Sequence, residues 1–147
     1  STDSLSLSPA ILLHEYMHAF INPLTEKYRS LVCAFQSAYQ WLSKYKLPDY
    51  QSGYGDWEEC VNEHLVRAMT IHLLHRCGYS DLAQKMLRND LYCGYQYIPL
   101  LLERYCIYDA NRGTYSDFEH YYPELLQVFS APPEQDSVLR SIDKTKK

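Results

Sequence analysis

A mainly α-helical domain is the fold class that this sequence predicts, and three observations support it. Apolar residues recur at steps of three and four along most of the chain, as on the buried face of a helix. Helix-starting and helix-stopping residues bracket these segments. We find no convincing strand pattern and no internal repeat. With 147 residues, of which 46% are apolar, the chain has the size and core content of one ordinary domain.

The first half of the chain predicts two helices and a loop. Ser8 followed by Pro9 is a typical helix start, and it opens a first helix that runs to about Ile21. Asn22-Pro23 should end that helix, because the residue before a proline avoids the helical region. A second helix is expected over about 24–46, followed by a loop rich in turn residues.

Three further helices are predicted in the middle of the chain. One spans about 56–77, where Gly78 is a natural stop, and a short one spans about 80–88. A tyrosine-rich turn region is expected over 89–97. A fifth helix follows over about 98–111.

The last third of the chain predicts a cap, a short helix and a tail. Ser116 and Glu119 fit a capping box, and Pro123 then starts a last helix over 124–129. Residues 131–147 are polar and contain two adjacent prolines, which predicts a flexible tail.

Composition and charge exclude several classes of partner. The net charge is -4, and the few clustered lysines lie at the C-terminus, so no nucleic acid partner is expected. No uncharged apolar stretch is long enough for a transmembrane segment. The five cysteines form no CxxC pair, which argues against a zinc ribbon and favours buried free thiols, with one or two disulfides left open. The chain has no start methionine and no signal sequence, and we interpret it as a fragment.

A metal-binding motif lies inside the first predicted helix. The segment His14-Glu15-Tyr16-Met17-His18 is HExxH, and residues four apart lie one turn apart on one helical face. Two imidazoles at this spacing can hold one zinc ion, while Glu15 reaches a zinc-bound water as general base. The apolar flanks predict that the motif helix is buried; these flanks are Ile11, Leu12, Leu13, Ala19 and Phe20.

A catalytic zinc takes three protein ligands, so one more residue is needed. The best candidate is Glu63, which lies in the middle of the third predicted helix. An ordinary surface ion pair with Arg67, four residues later, explains Glu63 equally well. Four other side chains are rivals for the ligand position: His64, His72, His75 and Glu59.

The chain resembles an uncharacterised bacterial domain-of-unknown-function family of predicted gluzincin-type zinc metallopeptidases. The resemblance is carried by HExxH, by Phe20-x-Asn22-Pro23 and by Glu63-x-x-x-Arg67-Ala68. It extends over roughly residues 9–130 through the following later positions: Gly94-Tyr95, Leu101-Leu102, Tyr105, Arg112, Tyr115, Phe118 and Tyr122-Pro123. It implies a zinc site of His14, His18 and Glu63, with Glu15 catalytic.

The same resemblance implies a zincin-like helical catalytic domain over residues 1–130. Zincin folds place a small β-sheet before the active-site helix, and only about eight residues precede that helix here. We therefore expect the upstream sheet to be absent from this stretch of chain. A secreted or periplasmic location is weakly favoured over a cytoplasmic one, because many members of the family look secreted.

The expected reaction is hydrolysis of a peptide or protein substrate by a zinc-activated water. Gluzincins usually use a tyrosine to stabilise the oxyanion, and Tyr95 and Tyr97 are the candidates, although packing explains them as well. Asn22 and Arg67 are candidates for orienting the ligands from behind. Two alternatives are a binding module stapled by zinc, with its tyrosines at the surface, and a zinc amidase that acts on cell-wall peptides.

Overall fold

The computed structural model of the protein describes residues 8–45 and 56–133, and within these ranges its regular structure is entirely helical. The mainly α prediction is therefore confirmed. In chain order the helices are α1 (Pro9–Lys27), α2 (Arg29–Ala34), α3 (Ser37–Leu42), α4 (Trp57–Arg76), α5 (Ser80–Tyr92), α6 (Ile98–Ala110) and α7 (Phe118–Leu126). Two 3-10 turns, Ser43–Tyr45 and Gln127–Ser130, follow α3 and α7.

Helix α4 lies at the centre of the domain, and α1, α5 and α6 pack against it. Most of its residues are buried, which explains why it shows no single apolar face. The Asp56 carboxylate caps its start by accepting a hydrogen bond from the Glu59 backbone N–H at 2.8 Å. Gly78, with φ of +91°, allows the chain to leave the helix, as the sequence predicted.

Helix α1 is longer than predicted. Its start is as expected, since the Ser8 hydroxyl accepts a hydrogen bond from the Ala10 N–H at 3.3 Å. The expected stop at Ile21 is wrong, because the helix continues through Pro23 to Lys27. Its last turns are held by burial: Ile21 and Thr25 are fully buried, and the Thr25 hydroxyl lies 2.6 Å from that of Tyr122. These contacts outweigh the cost of a proline inside a helix, where it removes a backbone hydrogen bond.

The single helix predicted over 24–46 is also wrong in the described part of that range. The chain turns at Tyr28 and again at Phe35, and it forms α2, α3 and a 3-10 turn instead. The Tyr28 ring stacks on Tyr122 at 5.4 Å, and this packing fixes the first turn. The short helices bury Val32 and Leu42 in the core. The predicted loop that precedes α4 lies outside the described residues.

The C-terminal helices follow the prediction with shifted ends. Helix α5 continues four residues beyond the predicted end at residue 88, to Tyr92, and Pro99 lies in the first turn of α6 as predicted. Helix α7 is capped by Asp117, which accepts from the His120 N–H at 2.9 Å, and not by a Ser116 capping box. It runs through Pro123, where a fresh start was expected. Most of the predicted tail lies outside the described residues.

Tyrosine side chains build much of the core. The Tyr105 hydroxyl donates a hydrogen bond to the Leu65 carbonyl, and the Tyr121 hydroxyl donates to the Arg104 carbonyl, both at 2.8 Å. Such pairing is what allows a phenol to be buried. The buried tyrosines are Tyr95, Tyr97, Tyr105, Tyr108, Tyr121 and Tyr122. Much of the tyrosine content therefore serves packing and not an exposed binding surface.

Two of the five cysteines, Cys60 and Cys93, are buried, and the other three are exposed. The expectation that the cysteines are buried therefore holds for two of them. No helix in residues 8–45 and 56–133 has the length and apolar character that crossing a bilayer requires.

Candidate metal centre

Two imidazoles project from the same side of α1. His14 and His18 lie one turn apart, and their Nε2 atoms are 3.1 Å from each other. Their rings meet edge to face, with centroids 4.8 Å apart. Neighbouring positions Met17 and Ile21 are buried against the rest of the domain, and they fix the rotation of the helix. The two histidines therefore face α4 along the edge of the helix contact.

Glu63 of α4 completes the cluster. Its Oε1 atom lies 3.0 Å from the His18 Nε2 atom, and its Oε2 atom lies 4.0 Å from the His14 Nε2 atom. One donor atom from each residue lies within 4.8 Å of the other two, and among the described residues this is the metal-type grouping that the structure contains. The packing of α1 on α4 thus brings together residues that are far apart in the sequence.

The geometry and chemistry of these donors fit a zinc ion. Zinc binds imidazole nitrogen and carboxylate oxygen at about 2.0–2.2 Å, so tetrahedral ligand atoms lie about 3.3–3.6 Å apart. The observed separations of 3.0, 3.1 and 4.0 Å bracket this range. All three side chains are partly exposed, between 18% and 23%. A metal held here would have three protein ligands and a side open to solvent, which is typical of catalytic zinc.

The surroundings of the two imidazoles also suit a metal. The Nδ1 atom of His18 lies 3.3 Å from the Asn22 side-chain oxygen, so an Nδ1–H donated to Asn22 leaves Nε2 free to bind. Burial lowers the pKa of His14, against the opposing attraction of the Glu63 carboxylate. The lowered pKa favours the neutral, metal-binding form of the His14 imidazole at neutral pH. The predicted role of Asn22 therefore has a matching contact.

Arg67 lies directly behind Glu63, one turn further along α4. Its Nε–H donates to the Glu63 Oε2 atom at 3.0 Å, and its Nη1–H donates to the Asp90 carboxylate of α5 at 2.8 Å. Its guanidinium also lies 4.3 Å from the centre of the Tyr95 ring. The predicted ion pair between Glu63 and Arg67 is thus present, and it coexists with the approach of Glu63 to the histidines.

Asp90 is the residue of this network that the sequence analysis missed. It is 2% exposed, and burial raises the pKa of its carboxyl to about 6, although the Arg67 guanidinium acts in the opposite direction. One signal was available in the sequence. Asp90 occupies the inward face of α5 together with Ala83 and Leu91, where an apolar residue is the rule.

Glu15 is exposed at the edge of the cluster. It lines a small groove together with His14, Arg67, Ile11 and neighbouring side chains. A second groove opens on the other side of the ligands, beyond His18. That second groove is lined mainly by polar residues, namely His18, Asn22, Arg29, Asp56, Glu58, Glu59, Asn62 and Glu63. The three candidate ligands therefore lie between two solvent-accessible depressions.

The rivals of Glu63 are placed elsewhere. His64 is fully buried, its Nδ1–H donates to the Cys60 carbonyl at 2.9 Å, and burial lowers its pKa to about 4. His72 lies 2.7 Å from the Asp109 carboxylate, and His75 contacts the Ser80 hydroxyl at 3.1 Å. Glu59 is exposed in the polar groove and does not join the cluster.

The two candidate oxyanion donors have different surroundings. The Tyr97 hydroxyl donates to the Ala131 carbonyl at 2.7 Å, and its side chain is fully buried against Phe129. The structure therefore does not bring Tyr97 to the cluster. The Tyr95 ring packs against Arg67, which places it behind Glu63 and not at the open side. The role of Tyr95 as an oxyanion donor stays a prediction.

The prediction that both flanks of the motif helix are buried is wrong. Ile11, Leu12 and Phe20 are 51%, 54% and 44% exposed, and Tyr16 within the motif is 69% exposed. The reason is that α1 rests on the domain along one stripe only, formed by Ala10, Met17, Ile21 and Thr25. Leu13 and Leu24 pack against the core at partly buried positions beside this stripe, and the remaining large apolar side chains of α1 are exposed.

The fold and the site together define an α-helical domain with a candidate centre of two histidines and one glutamate. The chain belongs to the family described as a domain of unknown function, DUF4932, whose model matches residues 7–128. The expected membership of a domain-of-unknown-function family is therefore confirmed. No curated protein and no solved structure matches the chain significantly.

Proposed function

We propose that this domain is a zinc-dependent hydrolase of the gluzincin type that cleaves peptide bonds. The observation that carries the proposal is the meeting of His14, His18 and Glu63 from two helices, with Glu15 beside them. A zinc ion held there would supply a Lewis acid that lowers the pKa of water and polarises a carbonyl group.

The side chains of the motif have distinct tasks in this proposal. The two imidazoles and the Glu63 carboxylate would hold the metal. Glu15 accepts a proton from the attacking water and passes it to the leaving amine. Its exposed position in the groove beside His14 gives it access to both water and substrate.

The open side of the cluster supports an enzyme over a purely structural zinc site. Structural zinc sites are closed by four protein ligands, whereas residues 8–45 and 56–133 supply three donors here, and each is partly exposed. A structural site also has no need of a carboxylate at position 15. The two grooves beside the ligands would receive the peptide substrate in our proposal.

The proposal is tested by hydrolysis assays on the zinc-loaded chain. The substrate panel contains unfolded proteins, mixed peptides and cell-wall peptides, so that an amidase is also detected. Wild type should cleave at least one member, and Glu15→Gln should keep its zinc but lose activity by a factor of about 100 or more. Glu26→Gln removes the same charge from an exposed site near the end of α1 and should remain active.

Two results would contradict the proposal. One is that zinc-loaded wild type cleaves no member of the panel. The other is that Glu15→Gln is as active as wild type, since the measured activity would then belong to a contaminant or to another site.

A binding module that holds zinc as a staple is the second candidate. It is favoured by the exposed apolar side chains on α1, where Leu12, Tyr16 and Phe20 follow one another at four-residue steps. In that case zinc would stabilise the domain, no substrate would be cleaved, and replacement of Glu15 would have no effect.

A further inference from the structure

Asp90 poses a physical question, because a carboxylate is costly to bury. It is 2% exposed on the inner face of α5. Its Oδ1 atom accepts from Arg67, but its Oδ2 atom is buried without a hydrogen-bond partner among the described residues. A buried ion pair gives weak net stabilisation, and apolar residues in its place are often neutral or better. A contribution to the stability of the fold therefore does not explain why an aspartate occupies position 90.

Arg67 is held by this carboxylate from behind. Its guanidinium contacts Glu63 at 3.0 Å, Asp90 at 2.8 Å and the face of Tyr95 at 4.3 Å. The planar guanidinium has its donors in a fixed fork, so two carboxylates and one ring determine its orientation. The guanidinium in turn fixes the Oε2 atom of Glu63, and the Oε1 atom remains directed at His18, 3.0 Å away.

Charge gives Asp90 a second effect on the same carboxylate. An arginine beside a metal ligand repels a divalent cation and competes with it for the ligand's negative charge. Asp90 compensates the positive charge of Arg67 within this partly buried pair. Glu63 therefore keeps more of its negative charge available to the two histidines and to a metal.

We propose that Asp90 is a positioning residue of the metal centre, which acts through Arg67 to orient Glu63 and to preserve its charge for the metal. The inference rests on the zinc site of the proposed function. It assigns a role to a third helix, α5, that contributes no ligand.

The test compares metal binding by the full chain and by Asp90→Asn, which keeps the shape and removes the charge. Zinc affinity is measured by competition with a chelator, and Co²⁺ absorption reports the ligand geometry. We expect Asp90→Asn to bind zinc about 10–100-fold more weakly, as is usual for residues behind metal ligands. Asp109→Asn is the matched control, since Asp109 also pairs with an arginine, Arg76, but lies outside the cluster, and the zinc affinity of this variant should be unchanged.

A double-mutant cycle shows whether Asp90 acts through Arg67. In an Arg67→Gln background the substitution Asp90→Asn should change zinc affinity by less than about threefold, because its intermediary is gone. Melting curves are recorded for every variant, since a loss of folding alone would also lower metal binding. If Asp90→Asn does not fold, the comparison of Arg67→Gln with the double variant still measures the direct effect of Asp90.

The outcomes separate this inference from the proposed function. Failure of wild type to bind zinc would overturn both. Tight zinc binding by wild type and equally tight binding by a folded Asp90→Asn would overturn the inference alone. The same holds for an undiminished effect of Asp90→Asn in the Arg67→Gln background, which would show that Arg67 is not the intermediary.

Discussion

Zinc should stabilise this domain by joining α1 to α4, and replacement of Glu63 should abolish that effect. His14 and His18 lie on α1, whereas Glu63 comes from α4 and reaches them only in the folded chain. Glu63→Gln keeps the size of the side chain and removes its charge. The two histidines that remain belong to a single helix, so a metal bound to them no longer links two elements.

The size of the effect follows from mass action. At a free zinc concentration about 100 times the dissociation constant, a ligand that binds only the folded state adds about 2.7 kcal/mol to the free energy of unfolding. For a chain of 147 residues, 1 kcal/mol raises the melting temperature by about 3 °C. Wild type should therefore melt about 8 °C higher with zinc than without it.

The measurement is thermal unfolding followed by circular dichroism, with and without zinc, in metal-free buffer. Glu63→Gln should shift by less than about 2 °C at the same zinc concentration. Glu59→Gln is the control, because it removes the same charge from α4 one turn earlier and outside the cluster. A zinc shift of Glu63→Gln as large as that of wild type would refute the assignment of Glu63.

Three further predictions concern single contacts. Asn22→Ala should weaken zinc binding about tenfold in chelator competition, because Asn22 orients the His18 ring; an unchanged affinity would contradict this role. Tyr122→Phe should lower the free energy of unfolding in urea by about 1 kcal/mol, since its buried hydrogen bond to Thr25 is lost. Burial raises the pKa of Asp109, but hydrogen bonds outweigh this effect and lower the pKa below 3.8. Its contribution to stability is therefore present above that value and is lost as the pH falls through the lowered pKa, so Asp109→Asn should flatten the stability profile measured below about pH 4.

The sequence predicted the helical class and the position of the motif well, because both depend on local spacing. Periodic apolar residues and caps such as Ser8 mark a helix wherever it packs. The ends of helices were predicted less well. Pro23 and Pro123 lie inside helices because tertiary burial of their neighbours outweighs the local cost of proline, and that burial is not visible in the sequence.

The third candidate ligand, Glu63, could also not be assigned from the sequence alone. Spacing alone made Glu63 the best candidate, but an ion pair with Arg67 explained it equally well, and His64, His72, His75 and Glu59 remained as rivals. The choice between them depends on how α1 lies against α4, which is a property of the packed core. Asp90 was within reach of the sequence, as an acid on an apolar helix face, but its contact with Arg67 depends on the packing of α5 on α4.

The outward exposure of α1 could not be predicted from composition. An apolar residue beside a motif is compatible with a core position or with an exposed one. Leu12 and Phe20 are exposed, although the Phe20 ring lies 5.3 Å from the Phe118 ring. Whether such a residue is buried depends on how many other elements pack around the helix, and the periodicity of the sequence does not give that number.

The most direct test of the central claim is the zinc content per chain, measured by elemental analysis of purified wild type, His14→Ala and Glu63→Ala. The site of His14, His18 and Glu63 predicts one zinc per wild-type chain and a sharp loss in both variants, each of which should still melt cooperatively. A wild-type chain that holds no zinc after reconstitution, or variants that hold as much as wild type, would contradict the metal centre.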